Sequence, residues 1–207
     1  MYLRSPTAYT LCYRPGMRWK SCLLLLLLGT VSLSTLSLHA QNAPMGDPNE
    51  GIWEGYDGES RYVSRLLLSL AEAIPAEKFT WRPSPGVRSV SEVYMHIAIA
   101  NFYLLSPTGP KMPPELTSPA IEQKVISKPE VIQYLKRSID AVKAAHAQLK
   151  PADLERKVDI EGHTVQVDGL YLRILCHENE HLGQLIAYAR SNGVVPPWSA
   201  ASTATKK

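Results

Sequence analysis

Residues 169–192, GLYLRILCHENEHLGQLIAYARSN, place two histidines on the apolar stripe of a long amphipathic helix, and this constrains the fold more than any other feature. At about 100° per residue, His177 and His181 lie about 40° apart on one face. Leu170, Ile174, Leu185 and Tyr188 fall within roughly 60° of their mid-line, so the pair belongs to the buried stripe. Glu178 and Glu180 flank it, while Asn179 and Arg190 point away. Cys176, about 120° from the mid-line, is expected to be a buried structural thiol on another side. Two imidazoles on a core face lack hydrogen-bond partners in apolar surroundings, a costly state unless something binds them. A divalent metal removes the difficulty, because histidines at i and i+4 have a suitable bite. A pair of core histidines satisfied by other groups is the alternative.

The same five residues, HENEH, match the H-E-x-x-H pattern of zinc proteases, in which the glutamate acts as general base. Those proteases take a third ligand from further along the chain. After His181 come only LGQLIAYARSNGVVPPWSAASTATKK, without His, Asp, Glu or Cys. Gly183 stands two positions after His181 rather than three, and Ala187 occupies the place of the extended motif's third histidine. Glu178 therefore stays only a weak candidate for a catalytic base. The remaining histidines outside the leader are His96, His146 and His163. His96 lies mid-way along a second helix, near the face of Val93, Ala100 and Tyr103, and is favoured as third ligand. His146 sits beside Lys143 and Lys150 and is expected to be solvated. His163 falls in a glycine-containing loop. Glu92 could hydrogen-bond His96, although its capping-box role is a sufficient explanation and the favoured one. Gln184 is a weak candidate for holding a metal-bound water. Tyr56, Asn101 and Tyr103 are candidates to line a cavity.

Four helices of this kind can be read. The first, 47–74, opens on Asp47 and Pro48. The second, 90–105, is announced by Ser89 and Glu92 as a capping box. The third starts with another such box, SKPE at 127–130, and reaches Leu149 before Pro151. The fourth stops at Gly193. Proline-rich connections at 75–88 and 106–126 are long enough to cross an end of a bundle, and 152–167 permits a short extended piece. The fold class expected is all-α, a four-helix bundle with long crossing loops.

The N-terminus is of another kind. Arg14, Arg18 and Lys20 precede an uncharged run from Leu23 to Leu38, closing on Leu38-His39-Ala40. This is the pattern of a signal peptide over 1–40, with Met17 as a tidier start and an uncleaved anchor as the alternative. The expectation is export to the periplasm or beyond, without stable membrane association after cleavage. The domain then spans 41–198, and 199–207 is a tail expected to be disordered. The chain has 22 Lys+Arg and 19 Asp+Glu. Four of the basic residues and none of the acidic ones precede Gln41, leaving 18 against 19. The basicity belongs to the leader, and nucleic acid is not expected as a partner. Cys12 and Cys22 leave with it, so Cys176 has no partner for an intramolecular disulfide.

The segments SVSEVYMHIAIANFYLL and HENEHLGQLIAYARSNGVVPP, with IPAEKFTWRPSPGVRSVSEV between the first two helices, resemble the DinB-like (YfiT-like) metal-binding four-helix family over roughly residues 50–198. The resemblance implies a bundle with a three-histidine divalent-metal site, carried over to His96, His177 and His181. Many relatives have histidine at the place of Glu180 and arginine at the place of Leu182. Three neutral histidines suit Zn²⁺, Ni²⁺, Fe²⁺ or Mn²⁺ and leave a coordination place open. Relatives include thiol-dependent transferases and isomerases. Export favours instead metal-assisted hydrolysis of a small molecule, since low-molecular-weight thiols are scarce outside the cytoplasm. A non-catalytic metal or small-ligand binding protein remains the other reading. The expected partner is a small molecule, with a homodimer left open.

Overall fold

The computed structural model describes residues 54–118 and 120–199. The expected signal peptide, its Met17 start, the Asp47 cap and the tail from Ala200 onward lie outside the described residues. Within them, α1 spans Gly55–Ala73, α2 Val90–Leu105, the short α3 Ile121–Lys124, α4 Lys128–His146, the short α5 Pro151–Leu154, and α6 Val167–Ser191. A two-stranded antiparallel hairpin, β1 Lys157–Ile160 and β2 His163–Gln166, precedes α6. The architecture is all-α, with four long helices packed as a bundle and this one hairpin added. No described helix is long and apolar enough to cross a membrane.

Packing determines how the helices are arranged. α2 packs most extensively on α4 and then on α6, and α1 packs on α6 and α4. Consecutive helices α1 and α2 are therefore diagonal, as are α4 and α6. Lys128 at the start of α4 donates to the carbonyls of Glu72 and Ile74 at the end of α1, at 2.6 and 2.7 Å. His146 at the end of α4 meets Asp57 and Tyr56 at the start of α1. These two helices are antiparallel. Asn101 of α2 meets Ser138 of α4, and Leu105 at the end of α2 shares a core cluster with Val142 near the end of α4, so those two are parallel. α6 runs with α1, through Tyr171 against Tyr56, and against α2. The order is up-down-down-up. Parallel neighbours cannot be joined by a tight turn, so the 106–126 connection must return along the length of α2 before α4 begins. It was expected to cross an end of the bundle. The end crossings are made instead by 75–88 and by the segment carrying the hairpin.

Local chemistry explains most boundaries. Ser89 accepts from the Glu92 amide at 3.3 Å while the Glu92 carboxylate accepts from the Ser89 amide at 2.7 Å, the capping box expected. Val194 N–H bonds to Ala189 O and Gly193 N–H to Arg190 O, a Schellman stop with Gly193 at φ 74°. The hairpin turns on Glu161 and Gly162, both at positive φ, as a two-residue turn between right-twisted strands requires. Three expectations are corrected. The SKPE box does not form: Ser127 makes no backbone cap and its hydroxyl contacts Glu130 at 3.3 Å instead. α4 ends at His146 rather than Leu149. α1 begins at Gly55, behind Glu54.

The core is filled by Val63, Leu67 and Leu70 from α1, Val93, Tyr94 and Ile97 from α2, Leu135 and Ile139 from α4, and Leu182 and Leu185 from α6. α2 is buried on nearly every side, which is why its sequence is hydrophobic all round rather than striped. The loop after α1 is anchored by Phe79, wholly buried, and by Trp81, whose ring meets Tyr188 edge-on at 5.3 Å.

Candidate metal centre

His96 projects from the middle of α2 and His177 and His181 from successive turns of α6, where the two helices pass antiparallel. The Nε2 atoms converge: His177 to His96 is 3.2 Å and His177 to His181 is 3.1 Å. The three rings are tilted or edge-on to one another, with centroids 4.5 to 5.0 Å apart. His177 is buried, and the other two are half-buried.

The flanking groups determine what those nitrogens can offer. Nδ1 of His181 lies 2.8 Å from Oε1 of Gln184, whose amide nitrogen donates to the Tyr188 hydroxyl at 2.9 Å. Nδ1 of His96 lies 3.3 Å from Oε2 of Glu122. Oxygens of this kind only accept, so both rings carry their proton on Nδ1 and turn a bare Nε2 lone pair inward. Burial and then the neighbouring His181 and His96 press the His177 pKa down to about 4. Burial likewise lowers that of His181. Neutral imidazoles with converging lone pairs repel unless a cation lies between them. A divalent ion about 2.1 Å from each nitrogen, with angles between about 90° and 109°, needs nitrogens about 3.0 to 3.4 Å apart. The two separations from His177 fall in that window and all three ligand atoms lie within 4.8 Å of one another, so the three residues form a cluster capable of coordinating a divalent metal. Nδ1 of His177 is buried and has no hydrogen-bond partner among the described residues.

Several flanking residues differ from expectation. Glu178 was expected at the edge of the stripe, free to reach solvent or a neighbouring helix, and it reaches the helix. It is 3% exposed and accepts from Asn101 at 2.8 Å, and Asn101 also donates to Ser138 at 3.3 Å. Burial pushes its carboxyl up to about 7, the bond from Asn101 partly opposing this. It is not part of the histidine cluster. Glu92 does not support His96; its second oxygen pairs with Arg82 at 2.8 Å. Gln184 orients His181. Cys176 is exposed, because α6 leaves that side to solvent. Tyr103 is 39% exposed and bonds Glu161, so it lines no interior cavity. His146 is not solvated but packs between Tyr56 and Tyr171 with Asp57 at 2.9 Å. His163 opens β2 rather than lying in a loop. Neither His146 nor His163 belongs to the cluster. Glu180, exposed, forms a two-point pair with Arg173, and Leu182 is buried in the core. Sequence reasoning missed Glu122, which stands in a connection with no periodicity to orient it.

A cleft of about 590 Å³ opens beside the cluster, lined by Arg82, Val87, Arg88, Glu122 and Gln184 among others. It touches the site through Glu122 and Gln184, the two residues that contact ligand rings.

A helix bundle holding three histidines across two antiparallel helices, with a cleft at its flank, defines a class of metal-binding bundle proteins. The DinB superfamily profile matches residues 61–185, and the chain belongs to that superfamily. A DinB-like protein from Bacillus cereus superposes with a TM-score of 0.61 at 22% identity, covering 72% of this chain and 97% of that one. YjoA, a DinB-like protein from Bacillus subtilis, gives 0.52 at 20% identity, covering 68% and 93%. At these identities the likeness is one of fold. No functionally curated protein matches.

Proposed function

We propose that this is an exported protein that holds one divalent ion, Zn²⁺, Ni²⁺, Fe²⁺ or Mn²⁺, through His96, His177 and His181 and hydrolyses a small molecule bound in the adjacent cleft. The observation that carries the reading is the convergence of three Nε2 atoms at 3.1 and 3.2 Å between rings whose outer nitrogens face acceptors. With three protein ligands, a bound ion keeps an open place from which it can polarise a carbonyl or acidify water. The chain's own residues supply the rest. Gln184 and Glu122 orient ligand rings, and the cleft of about 590 Å³ is of small-molecule size. The inward-turned Glu178 speaks against the protease reading, which needs that carboxylate at the metal.

A non-catalytic metal or ligand-binding role is the second reading. It is favoured by the pairing of the acidic groups in the cleft: Glu92 is held by Arg82 and Glu122 by Arg88. The thiol-dependent transferase reading is third, because the export expected from the leader works against a thiol co-substrate. The test is the purified protein, its metal quantified, assayed against ester, amide and thiol-conjugation substrates. One ion per chain with chelator-sensitive ester or amide turnover supports the hydrolase. One ion without turnover supports the binding role. Loss of the ion should follow His96→Ala, His177→Ala or His181→Ala, each about tenfold or more in affinity, and not His146→Ala or His163→Ala.

A further inference from the structure

The 106–126 connection does more than link two parallel helices. Its short α3 lays Glu122 against the face of α2 that carries His96. There the carboxylate has two partners: Oε1 pairs with Arg88, one residue before the Ser89 cap of α2, and Oε2 lies 3.3 Å from Nδ1 of His96. Glu122 keeps 20% of its side-chain exposure and His96 27%, so the contact is shielded but not sealed from water. Nε2 of His96 lies 3.2 Å from Nε2 of His177, and its ring meets that of His181 edge-on. An Arg–Glu–His sequence thus runs from the outer cleft to the metal centre, and its middle member belongs to a different element from the histidine it touches.

We propose that Glu122 is a positioning residue for His96, holding the ring in the Nδ1–H tautomer and in its inward orientation, and that metal binding is thereby coupled to docking of residues 120–126 on α2. The inference rests on the three-histidine reading above. A carboxylate beside the outer N–H of a ligand histidine raises the basicity of the inner nitrogen, and loss of such a partner typically costs about 10- to 100-fold in metal affinity. Of the ligand rings, His181 receives this service from Gln184 on its own helix, three residues away, and depends on no other element for it. His96 receives it across elements, so its orientation depends on the connection staying in place. The coupling runs both ways: what binds better with the segment docked must also favour docking.

The experiment uses the full mature chain and Zn²⁺ as probe. Affinity is read by competition with a chromophoric chelator, and docking by amide hydrogen exchange over 120–126. The expected result is a loss of about tenfold or more in Zn²⁺ affinity for Glu122→Ala, and a smaller loss for Glu122→Gln, whose amide oxygen still accepts from Nδ1. Arg88→Ala should lose less than Glu122→Ala. The double variant should be no worse than Glu122→Ala alone, because the arginine reaches His96 only through the carboxylate. In the wild type, Zn²⁺ should slow exchange over 120–126, and in Glu122→Ala it should not. Wild-type affinity in Glu122→Gln and Arg88→Ala, with exchange over 120–126 indifferent to Zn²⁺, overturns the proposal even where Glu122→Ala fails to fold. A wild type that binds no Zn²⁺ instead overturns the metal-site reading. Tight wild-type binding that His96→Ala abolishes and Glu122→Ala leaves intact sinks this inference alone.

Discussion

Substituting Glu178 by glutamine should change how the stability of the metal-free protein depends on pH, by an amount the structure sets. Glu178 lies 3% exposed between α6 and α2, and burial lifts its pKa from 4.5 to about 7, with Asn101 as its hydrogen-bond donor among the described residues. For a carboxyl raised in the folded state, the contribution to stability is full below the unfolded value. It is lost as pH rises through the folded one. The window therefore runs from 4.5 to about 7. At about 1.4 kcal/mol per unit, the loss across it is about 3 kcal/mol. Glutamine has nearly the same shape, still accepts from Asn101 through its amide oxygen, and does not titrate. Urea unfolding of both proteins in the presence of a chelator, at about pH 5 and about pH 8.5, isolates the effect. The variant should gain on the wild type by about 2 to 3 kcal/mol between those conditions. A stability difference that is the same at both pH values refutes the reasoning, since a solvated or ion-paired Glu178 would behave that way.

The opposite sign applies to the metal-free site: His177 is depressed from 6.5 to about 4, so its contribution is present above pH 6.5 and lost as pH falls towards 4. Urea midpoints of chelated wild type should fall through that range more steeply than those of His177→Asn. The metal-loaded protein should not cleave unfolded casein, and Glu178→Gln should change metal affinity only slightly. Chelator-sensitive cleavage abolished by that substitution would restore the protease reading. Export should remove the leader between Ala40 and Gln41, which intact mass of the secreted form would register. A mature start upstream of Leu38 would count against it.

Much of this protein could be read before any tertiary information. Local rules acting within a few residues place the α2 cap at Ser89 and Glu92, the stop at Gly193, and His177 and His181 on one face of α6. Each depends on backbone hydrogen bonding or on the helical repeat, which sequence spacing encodes directly. His96 was legible as a third candidate because Val93, Ala100 and Tyr103 lie near its face of α2. Other features required the folded chain. The up-down-down-up order follows from which stripes bury against which, and no single stripe states its partner. The return of the 106–126 connection along α2 follows from that order, and with it the arrival of Glu122 beside His96. The side taken by Glu178 was left open for the same reason. At about 80° from the histidine mid-line it could have faced solvent or a neighbour, and only the packing of α6 against α2 turned it towards Asn101. Cys176 and His146 exchanged the surroundings expected of them because burial at the margin of a helix is settled by the neighbouring helix. The histidines were a matter of periodicity. The groups that orient them come from where the connections run, and that is a property of the tertiary structure.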